Sequence, residues 1–263
     1  YELDPTDRRW SAGIYDEGRR KWLAPVNQHP YEQQAIKLDD WNTIKLKAQG
    51  GRIESWLNGI KISDVVDTMD LAGFIALQVH SGEKGQVRFR NIHIKELGEH
   101  HWTADRISEP TAWKVNGAGT LTATADHGLS LEGAGSLQPL LASDDFALRM
   151  TVPVCEQVTQ IRFRESKEKR KGPAYGKISL TSAGARLEST TAGLTSATEI
   201  AFAEPLEELL LTLTVLGDQA QVSVNELNVG RLYRANLAAS GPTTIDFACD
   251  TKTLGKPEWV DFQ

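Results

Sequence analysis

Short runs in which apolar and polar residues alternate dominate this sequence and limit the fold to one built from β-strands. Residues 44–48 alternate apolar side chains with lysines, the period-2 pattern of a strand with one buried face. Residues 52–57 run into Asn58-Gly59, and the apolar pattern then resumes. This predicts a hairpin, because both turn residues tolerate a positive φ. Helical periodicity is nearly absent over the 263 residues, so we predict an all-β protein.

Further strand-like runs lie on both sides of a polar stretch near residue 100. Before it, residues 73–80 and 87–94 each predict a strand. After it, strands are predicted at residues 113–115, 128–131, 146–152, 161–164, 177–180, 209–216 and 222–224. Residues 98–112 carry many polar residues and Pro110, which predicts a linker. The predicted parts are therefore residues 1–97, a linker at 98–112, and residues 113–263.

An internal repeat relates the two parts. The pattern from residue 43 to the hairpin at 58–59 matches the pattern from residue 212 to 226, and two later matches pair 74–77 with 244–247 and 87–90 with 259–262. The second part has strand-like runs over 113–165 that precede its hairpin, and the first part has none. A sandwich without those strands would expose edges and half of its core. Either they have been removed from the first copy or other strands replace them, and we favour removal.

Composition narrows the range of partners. The net charge is −6, and the only short basic stretch, residues 167–171, fits a solvated loop, so nucleic acid is not an expected partner. No run is long and apolar enough to predict a transmembrane segment. The chain begins at Tyr1 and shows no signal-like apolar region, which suits a mature product or a piece of a longer chain. Cys155 and Cys249 could form one disulfide or stay two buried thiols, and the sequence favours neither.

Five stretches within the first 97 residues together resemble the 3-keto-disaccharide hydrolase (DUF1080) family. They are GIYDEGRRKWLAP at 13–25, WN at 41–42, WLNG at 56–59, IALQVH at 75–80 and FRNIHIKEL at 89–97. Each is weak alone, but their order and spacing are specific. ELGEHHW at 96–102 is similar to the junction that leads into a second domain in this family. The second copy here lacks the YDEGRR and LQ-x-H motifs.

The resemblance implies a concanavalin A-like or laminin G-like fold, a two-sheet jelly-roll sandwich in two copies, the first lacking its N-terminal strands. It also implies export to the periplasm, the cell surface or beyond, and hydrolase or lyase action on 3-keto-glycosides. The second copy is expected to be degenerate, with a structural or sugar-binding role. Asp4 stands where the family motif Tyr-Glu-x-Gln has glutamine, which weakens the expectation for that subsite.

A 3-keto sugar defines the chemistry that such a site performs. The C3 carbonyl acidifies the C2 proton, so a base can remove it, an electrophile can stabilise the oxyanion, and the C1 group can leave. We expect Glu2 or His80 as the base, and Arg19 or a divalent metal of unknown identity as the oxyanion partner. The predicted substrate-binding residues are Asp4, Tyr15, Asp16, Arg20, Trp41 and Gln78.

Two other functions stay open beside the enzyme. The chain could be a non-catalytic carbohydrate-binding module, or a structural domain in the assembly of a larger exported protein. His80 could cap a strand in solvent, and the loop arginines could merely pair with the neighbouring acids. We favour the enzyme for the parent protein and expect this chain to carry an incomplete site. Further domains or chains would then complete the first jelly roll.

Overall fold

The computed structural model describes residues 9–24, 26, 30–79, 86–104, 106–140, 144–166, 174–191, 194–232, 241–249 and 252–262. In the first part the elements are β1 (Ile14–Asp16), β2 (Lys21–Ala24), α1 (Pro30–Gln33), β3 (Ile44–Gln49), β4 (Arg52–Leu57) and β5 (Ile60–Val66). A 3-10 turn at Pro110–Ala112 opens the second part. Its strands are β6 (Trp113–Gly117), β7 (Thr120–Ala123), β8 (Leu129–Glu132), β9 (Gly135–Pro139), β10 (Phe146–Pro153), β11 (Thr159–Ser166), β12 (Ala174–Thr181), β13 (Gly184–Thr191), β14 (Leu194–Ala201), β15 (Glu208–Leu216), β16 (Gln219–Val224), β17 (Leu227–Leu232), β18 (Thr244–Asp246) and β19 (Thr253–Asp261). The all-β prediction is confirmed.

Two seven-stranded antiparallel sheets form a jelly-roll-like sandwich in the second part. One sheet has the order β17-β16-β15-β10-β19-β8-β7, and the other has the order β14-β13-β12-β11-β18-β9-β6. The chain crosses from one sheet to the other at the connections β6–β7, β8–β9, β9–β10, β10–β11, β14–β15, β17–β18 and β18–β19. The predicted two-sheet sandwich is therefore confirmed here. No helix in the described ranges is long and apolar enough to cross a membrane.

The core of this sandwich is filled by alternate residues of its strands. Leu148 and Met150 of β10 are fully buried, whereas Arg149 between them lies on the outer face. Phe163 of β11 is also fully buried and pairs across the ladder with Gly176 of β12. Each such buried side chain contributes roughly 1.5–3 kcal/mol of hydrophobic free energy. Burial between the two sheets therefore supplies most of the apolar stabilisation of the protein.

Part of the predicted linker packs against this second sandwich. Ile107 is buried in its core, and its carbonyl accepts a hydrogen bond from Trp113 Nε1 at 2.7 Å. Thr103 exchanges two backbone hydrogen bonds with Trp259 of β19. The folded second part therefore begins several residues before β6.

The first part is smaller and holds two separate sheets, β1-β2 and β3-β4-β5. Asn58 and Gly59 have φ values of 52° and 85°, which confirms the predicted hairpin between β4 and β5. The buried apolar cluster among its described residues consists of Ala12, Ala35 and Leu57. Four partly buried isoleucines pack around this cluster. The first part therefore has much less core of its own than the sandwich that follows.

The internal repeat is confirmed by strand register. The ladder β3-β4-β5 and the ladder β15-β16-β17 pair corresponding residues at a constant sequence offset. Both ladders carry a register shift at the corresponding place, between Ser55 and Trp56 in one and between Val222 and Ser223 in the other. The two meanders are therefore copies of one structural unit, because they share the strand register and also the position of the register shift.

The turn asparagines show the same correspondence. Asn58 Oδ1 accepts from the Thr43 amide at 2.9 Å, and Asn225 Oδ1 accepts from the Leu210 amide at 2.8 Å. Asn225 follows Asn58 by 167 residues, and Leu210 follows Thr43 by the same distance. The sequence pattern matched residue 43 to residue 212, so the start of the repeat is corrected by two residues. The hairpin end of the match was right.

The strands predicted at 73–80 and 87–94 are not formed. Residues 71–79 and 86–100 contain no strand, while residue 80 lies outside the described ranges. The prediction was wrong for a physical reason. A strand needs neighbours for its backbone hydrogen bonds, and none of the described strands pairs with these residues.

Candidate functional site

Arg19, in the turn between β1 and β2, is the accessible cation among the predicted site residues. Its Nε donates to Asp16 Oδ1 at 3.0 Å, and its Nη2 donates to Asp70 Oδ2 at 2.6 Å. The side chain is still 49% exposed. The hydrogen bonds to Asp70 and then to Asp16 raise the pKa of Arg19 above its already high value. Arg19 is therefore a fixed positive charge that is open to solvent.

Arg20, next to it, has a different environment. It donates to Asp16 at 2.5 Å and to Asp67 at 2.9 Å, and all three side chains are largely buried. Asp67 also lies 3.6 Å from Arg231 of β17, whose Nη1 donates to the Leu23 carbonyl at 2.7 Å. Buried charges are tolerated when they are paired and hydrogen-bonded. Arg20 thus links the first part to the second and is not free to meet a ligand.

Asp16 is held as a carboxylate. Burial by itself would raise its pKa, but the hydrogen bonds and charges of Arg20 and Arg19 outweigh burial and lower the pKa below its ordinary value. An ionised carboxylate accepts hydrogen bonds from arginines and has no proton to donate. Asp16 therefore positions Arg19 and does not serve as a general acid.

Aromatic rings flank this turn. The Tyr15 ring contacts the Trp22 ring at a centroid distance of 5.0 Å, and Trp10 meets Trp22 edge-on at 4.8 Å. Tyr15 is partly exposed on β1. Trp41 is exposed elsewhere, and the Arg90 guanidinium lies 3.7 Å from its ring centroid.

Two of the remaining predicted residues, Trp41 and Gln78, are described, and no contact joins either of them to this group. Gln78 is exposed in a segment without strand structure. Glu2, Asp4 and His80 lie outside the described residues. The structure therefore brings together Tyr15, Asp16, Arg19 and Arg20, while every assignment of a role to these residues stays a prediction.

Sequence reasoning missed the acidic partners of the two arginines. Asp67 and Asp70 follow the end of β5, 47 residues after Arg20 and 51 residues after Arg19 respectively. Nothing in the sequence joined these acids to the two arginines. The same holds for Arg231, because it belongs to the second part and reaches this site only in the folded protein.

A small cavity of about 50 Å³ lies where the two parts meet. Its lining includes Arg20, Asp67, Thr68, Trp102, Arg149 and Thr212. Thr68 and Thr214 share a hydrogen bond at 2.7 Å across the contact. The Trp102 Nε1 group is buried there without a hydrogen-bond partner among the described residues. This volume holds a few water molecules.

The expected divalent metal does not fit the described part of the site. Within the described ranges no three His, Cys, Asp or Glu side chains are arranged to hold a metal ion. Asp16, Asp67 and Asp70 each accept a guanidinium instead. In the described structure, oxygens of these carboxylates accept arginine N–H groups. The oxyanion partner that these residues can supply is Arg19.

The lowered pKa of Asp64 leads us to predict that the protein loses stability in acid. Burial would raise its pKa, but hydrogen bonds from Arg52 and Lys61 lower the pKa to about 2. A pKa lower in the folded than in the unfolded chain stabilises the fold above pH 4, and the effect disappears as the pH falls toward 2. We expect Asp64→Asn to reduce the free energy of unfolding at pH 7 by about 1 kcal/mol, a value discounted for partial exposure. Urea unfolding measured from pH 7 down to pH 3 should show the difference from the unmodified protein shrinking.

Glu17→Gln is the matched control for this pH series. Glu17 is exposed on the neighbouring turn and forms no ion pair among the described residues. Its substitution should leave the pH dependence unchanged. A constant difference between Asp64→Asn and the unmodified protein over the whole pH range would contradict the expected role of Asp64.

Comparison with known proteins agrees with the motifs found in the first part. Residues 1–95 match the family described as the 3-keto-alpha-glucoside-1,2-lyase-like domain. No curated protein sequence gives a significant match.

Several solved structures of low sequence identity match parts of this chain. They include the carbohydrate-binding module CBM66 from Bacillus subtilis, with 12% identity over 57% of this chain and 91% of that chain and a TM-score of 0.36. Another is the Bacillus licheniformis beta-glucanase, with 7% identity over 64% of this chain and 100% of that chain and a TM-score of 0.44. A third is the kappa-carrageenase from Pseudoalteromonas carrageenovora, with 9% identity over 60% of this chain and 78% of that chain and a TM-score of 0.38. The resemblance inferred for the first part is confirmed by the family match alone: residues 1–95 are similar to the 3-keto-alpha-glucoside-1,2-lyase-like domain.

Proposed function

We propose that this protein acts on 3-keto-glycosides by removing the C2 proton and eliminating the group on C1. The observation that supports this function is the family match over residues 1–95, the stretch that carries the turn with Arg19. The reaction balances within the sugar. The base takes the C2 proton, the C2 electron pair forms the C1–C2 double bond, and the C1 substituent leaves with the electrons of its bond and gains a proton. Addition of water to the unsaturated product completes a net hydrolysis.

The described residues suit two of the tasks in this reaction. Arg19 presents a permanent positive charge to solvent, as the stabilisation of an oxyanion on the C3 oxygen requires. Tyr15 offers the partly exposed edge of an aromatic cluster on which a sugar ring could stack. We assign proton abstraction to Glu2 or His80, and substrate contacts also to Asp4, Trp41 and Gln78.

Export is part of the same proposal. The Cys155–Cys249 disulfide supports it, because disulfides persist mainly in oxidising compartments.

The test is release of p-nitrophenol from p-nitrophenyl 3-keto-α-glucoside. We expect Arg19→Ala to lower kcat/KM about 100-fold, the usual cost of losing one oxyanion donor. Arg186→Ala is the matched control, since Arg186 is exposed to a similar extent, 46%, and pairs with carboxylates on the second part. The ordinary p-nitrophenyl α-glucoside should not react, because its C2 proton is not acidified. Equal turnover of the two glucosides, or an Arg19→Ala variant with full activity, would contradict the proposal.

Carbohydrate binding without turnover is the second candidate. The observation that favours it is the aromatic cluster of Trp10, Tyr15 and Trp22, on which a sugar ring could stack without any chemistry. Calorimetry with the same 3-keto-glucoside separates the two candidates. Saturable binding with no release of p-nitrophenol would show that the protein is a binding module and not an enzyme.

A further inference from the structure

The cavity where the two parts meet adjoins the turn that carries Arg19. Arg20, the next residue of that turn, lines the cavity, and so does Met69. The Arg19 Nη1 atom lies 3.4 Å from Met69 Sδ. Met69 therefore links the cation that we assign to the oxyanion directly to the cavity wall. This contact makes the cavity a candidate for binding part of the substrate.

The floor of the cavity is a polar row on the outer face of the second sandwich. Arg149 of β10 pairs across the ladder with Thr212 of β15, which pairs in turn with Ser223 of β16. All three residues line the cavity. Their neighbours along the strands, such as Leu211 and Val222, are buried in the core. Because side chains alternate between the two faces of a sheet, the guanidinium and the two hydroxyls lie side by side on the face that the cavity covers.

Four groups of the cavity wall that can hydrogen-bond have no side-chain partner within the described ranges. They are Trp102 Nε1, the hydroxyls of Thr212 and Ser223, and the carboxylate of Glu226. Trp102 Nε1 is buried, and buried polar groups in native proteins are nearly always hydrogen-bonded. The set comprises one N–H donor, two hydroxyls and one acceptor. It complements the hydroxyl of a ligand, which both donates and accepts.

Glu226 stands where the other copy of the repeat has a glycine. Asn225-Glu226 corresponds to Asn58-Gly59, and Glu226 has a φ of 67°. Glycine enters this left-handed region without cost, whereas other side chains disfavour it. Strained backbone is typical of positions that serve a site. The unpaired carboxylate also disfavours an anionic ligand, because Arg149 is already paired with Glu258 at 2.5 Å.

The size of the cavity limits the ligand to a small side group. Its volume is about 50 Å³, whereas a cavity of about 150 Å³ admits benzene. A whole sugar ring is therefore too large, and a hydroxymethyl group, with one carbon and one oxygen, fits. The ring that carries this group stays outside the cavity.

We propose that the cavity binds the hydroxymethyl group of a neutral hexose unit of the substrate. This inference rests on the proposed function and adds a substrate class to it, namely hexose in preference to pentose or uronic acid. The bound hydroxyl donates to the Glu226 carboxylate and accepts from a hydroxyl of the floor. The hexose is either the 3-keto unit itself or the leaving group on C1. In both cases the second part of the chain selects the substrate of a reaction that the first part performs.

The test compares substrates that differ by one hydroxymethyl group. The first pair is p-nitrophenyl 3-keto-α-glucoside and p-nitrophenyl 3-keto-α-xyloside, which differ in the unit that bears the carbonyl. The second pair is a 3-keto-glucoside with glucose as its leaving group and one with xylose. We expect the hexose member of one pair to have a KM about 10-fold lower, the effect of one or two hydrogen bonds. The pair that shows this difference identifies the unit that enters the cavity.

Variants of the chain connect this difference to the cavity. Thr212→Val combined with Ser223→Ala removes both hydroxyls of the floor and should raise the KM of the hexose member to that of the pentose member. Ser179→Ala combined with Thr244→Val is the matched control, because both residues are half-buried on the other sheet, and it should preserve the difference. Glu226→Gly should raise the urea midpoint of unfolding, since it relieves backbone strain, and should still weaken the selection of hexose.

A binding measurement without turnover separates this inference from the proposed function. The indole N–H signal of Trp102 in an NMR spectrum, assigned with Trp102→Phe, should shift with methyl α-glucoside and not with methyl α-xyloside. If the unmodified protein turns over no 3-keto-glycoside but shows this shift, the proposed function fails and the binding site stands. Equal KM values within both substrate pairs would overturn the inference. The same response of Trp102 to both methyl glycosides, or no response to either, would also overturn it, because the cavity would then hold only water.

Discussion

Removal of the Cys155–Cys249 disulfide is expected to lower the free energy of unfolding by about 4 kcal/mol. The two cysteines are 94 residues apart in sequence, and their Cα atoms are 5.8 Å apart in the fold. Cross-linking so long a stretch of chain removes many conformations from the unfolded state, and this raises the relative stability of the folded state. The measurement is urea unfolding of the Cys155→Ser, Cys249→Ser double variant beside the unmodified protein.

Reduction provides the control for this comparison. Dithiothreitol should destabilise the unmodified protein to the level of the double variant and should leave the double variant itself unchanged. The disulfide ties the stretch between β10 and β11 to the chain after β18, so its loss acts on the sandwich and not on the first part. Equal unfolding midpoints for the oxidised and reduced proteins would show that the disulfide contributes nothing to the free energy of unfolding.

Gly176→Ala is expected to destabilise the second part by about 3 kcal/mol. A Cβ at this position would lie 2.1 Å from Cζ of Phe163, whose ring is fully buried over the glycine. The ring cannot move away freely, because protein cores are close-packed. Urea unfolding followed by tryptophan fluorescence measures the loss.

Two further variants test this explanation. Gly73→Ala is the matched control, since no atom lies within 4 Å of the position that its new methyl group would take and the residue is exposed, so its effect should stay within about 0.5 kcal/mol. Phe163→Leu trims the ring and should cost about 1 kcal/mol by itself. Combined with Gly176→Ala, it should cost less than the two single changes added together, because the new methyl group fills the freed space. Strict additivity would mean that the ring and the glycine are not coupled.

The candidate site depends on contacts between the two parts of the chain. Asp67 of the first part pairs with Arg20 and lies 3.6 Å from Arg231 of β17, and Asp64 accepts a hydrogen bond from Gln219 of β16 at 3.2 Å. These contacts hold the buried side of the turn, while Arg19 stays on its open side. The second part therefore contacts the candidate site even though it lacks the family motifs.

The sequence by itself determined the local features of this protein. Alternation predicted β6, β8, β10, β11, β12, β15 and β16 of the second part, because a half-buried strand needs an apolar residue at every second position, and it missed strands such as β13, β14 and β17. The Asn58-Gly59 turn and its counterpart at Asn225 were readable for a similar reason, since a tight turn requires particular residues. The family motifs of the first part were likewise short and contiguous.

Tertiary structure decided everything that depends on distant partners. It joined the two cysteines, for which the sequence left both outcomes open. It also separated Arg19 from its neighbour Arg20, because Asp70 and Asp67, which pair with them, lie far away along the chain, and Arg231 reaches Asp67 from the second part. Residues 73–79 and 87–94 have the alternation of strands and do not form them. Alternation shows that a residue run can enter a sheet, but hydrogen bonds from neighbouring strands are what make it one.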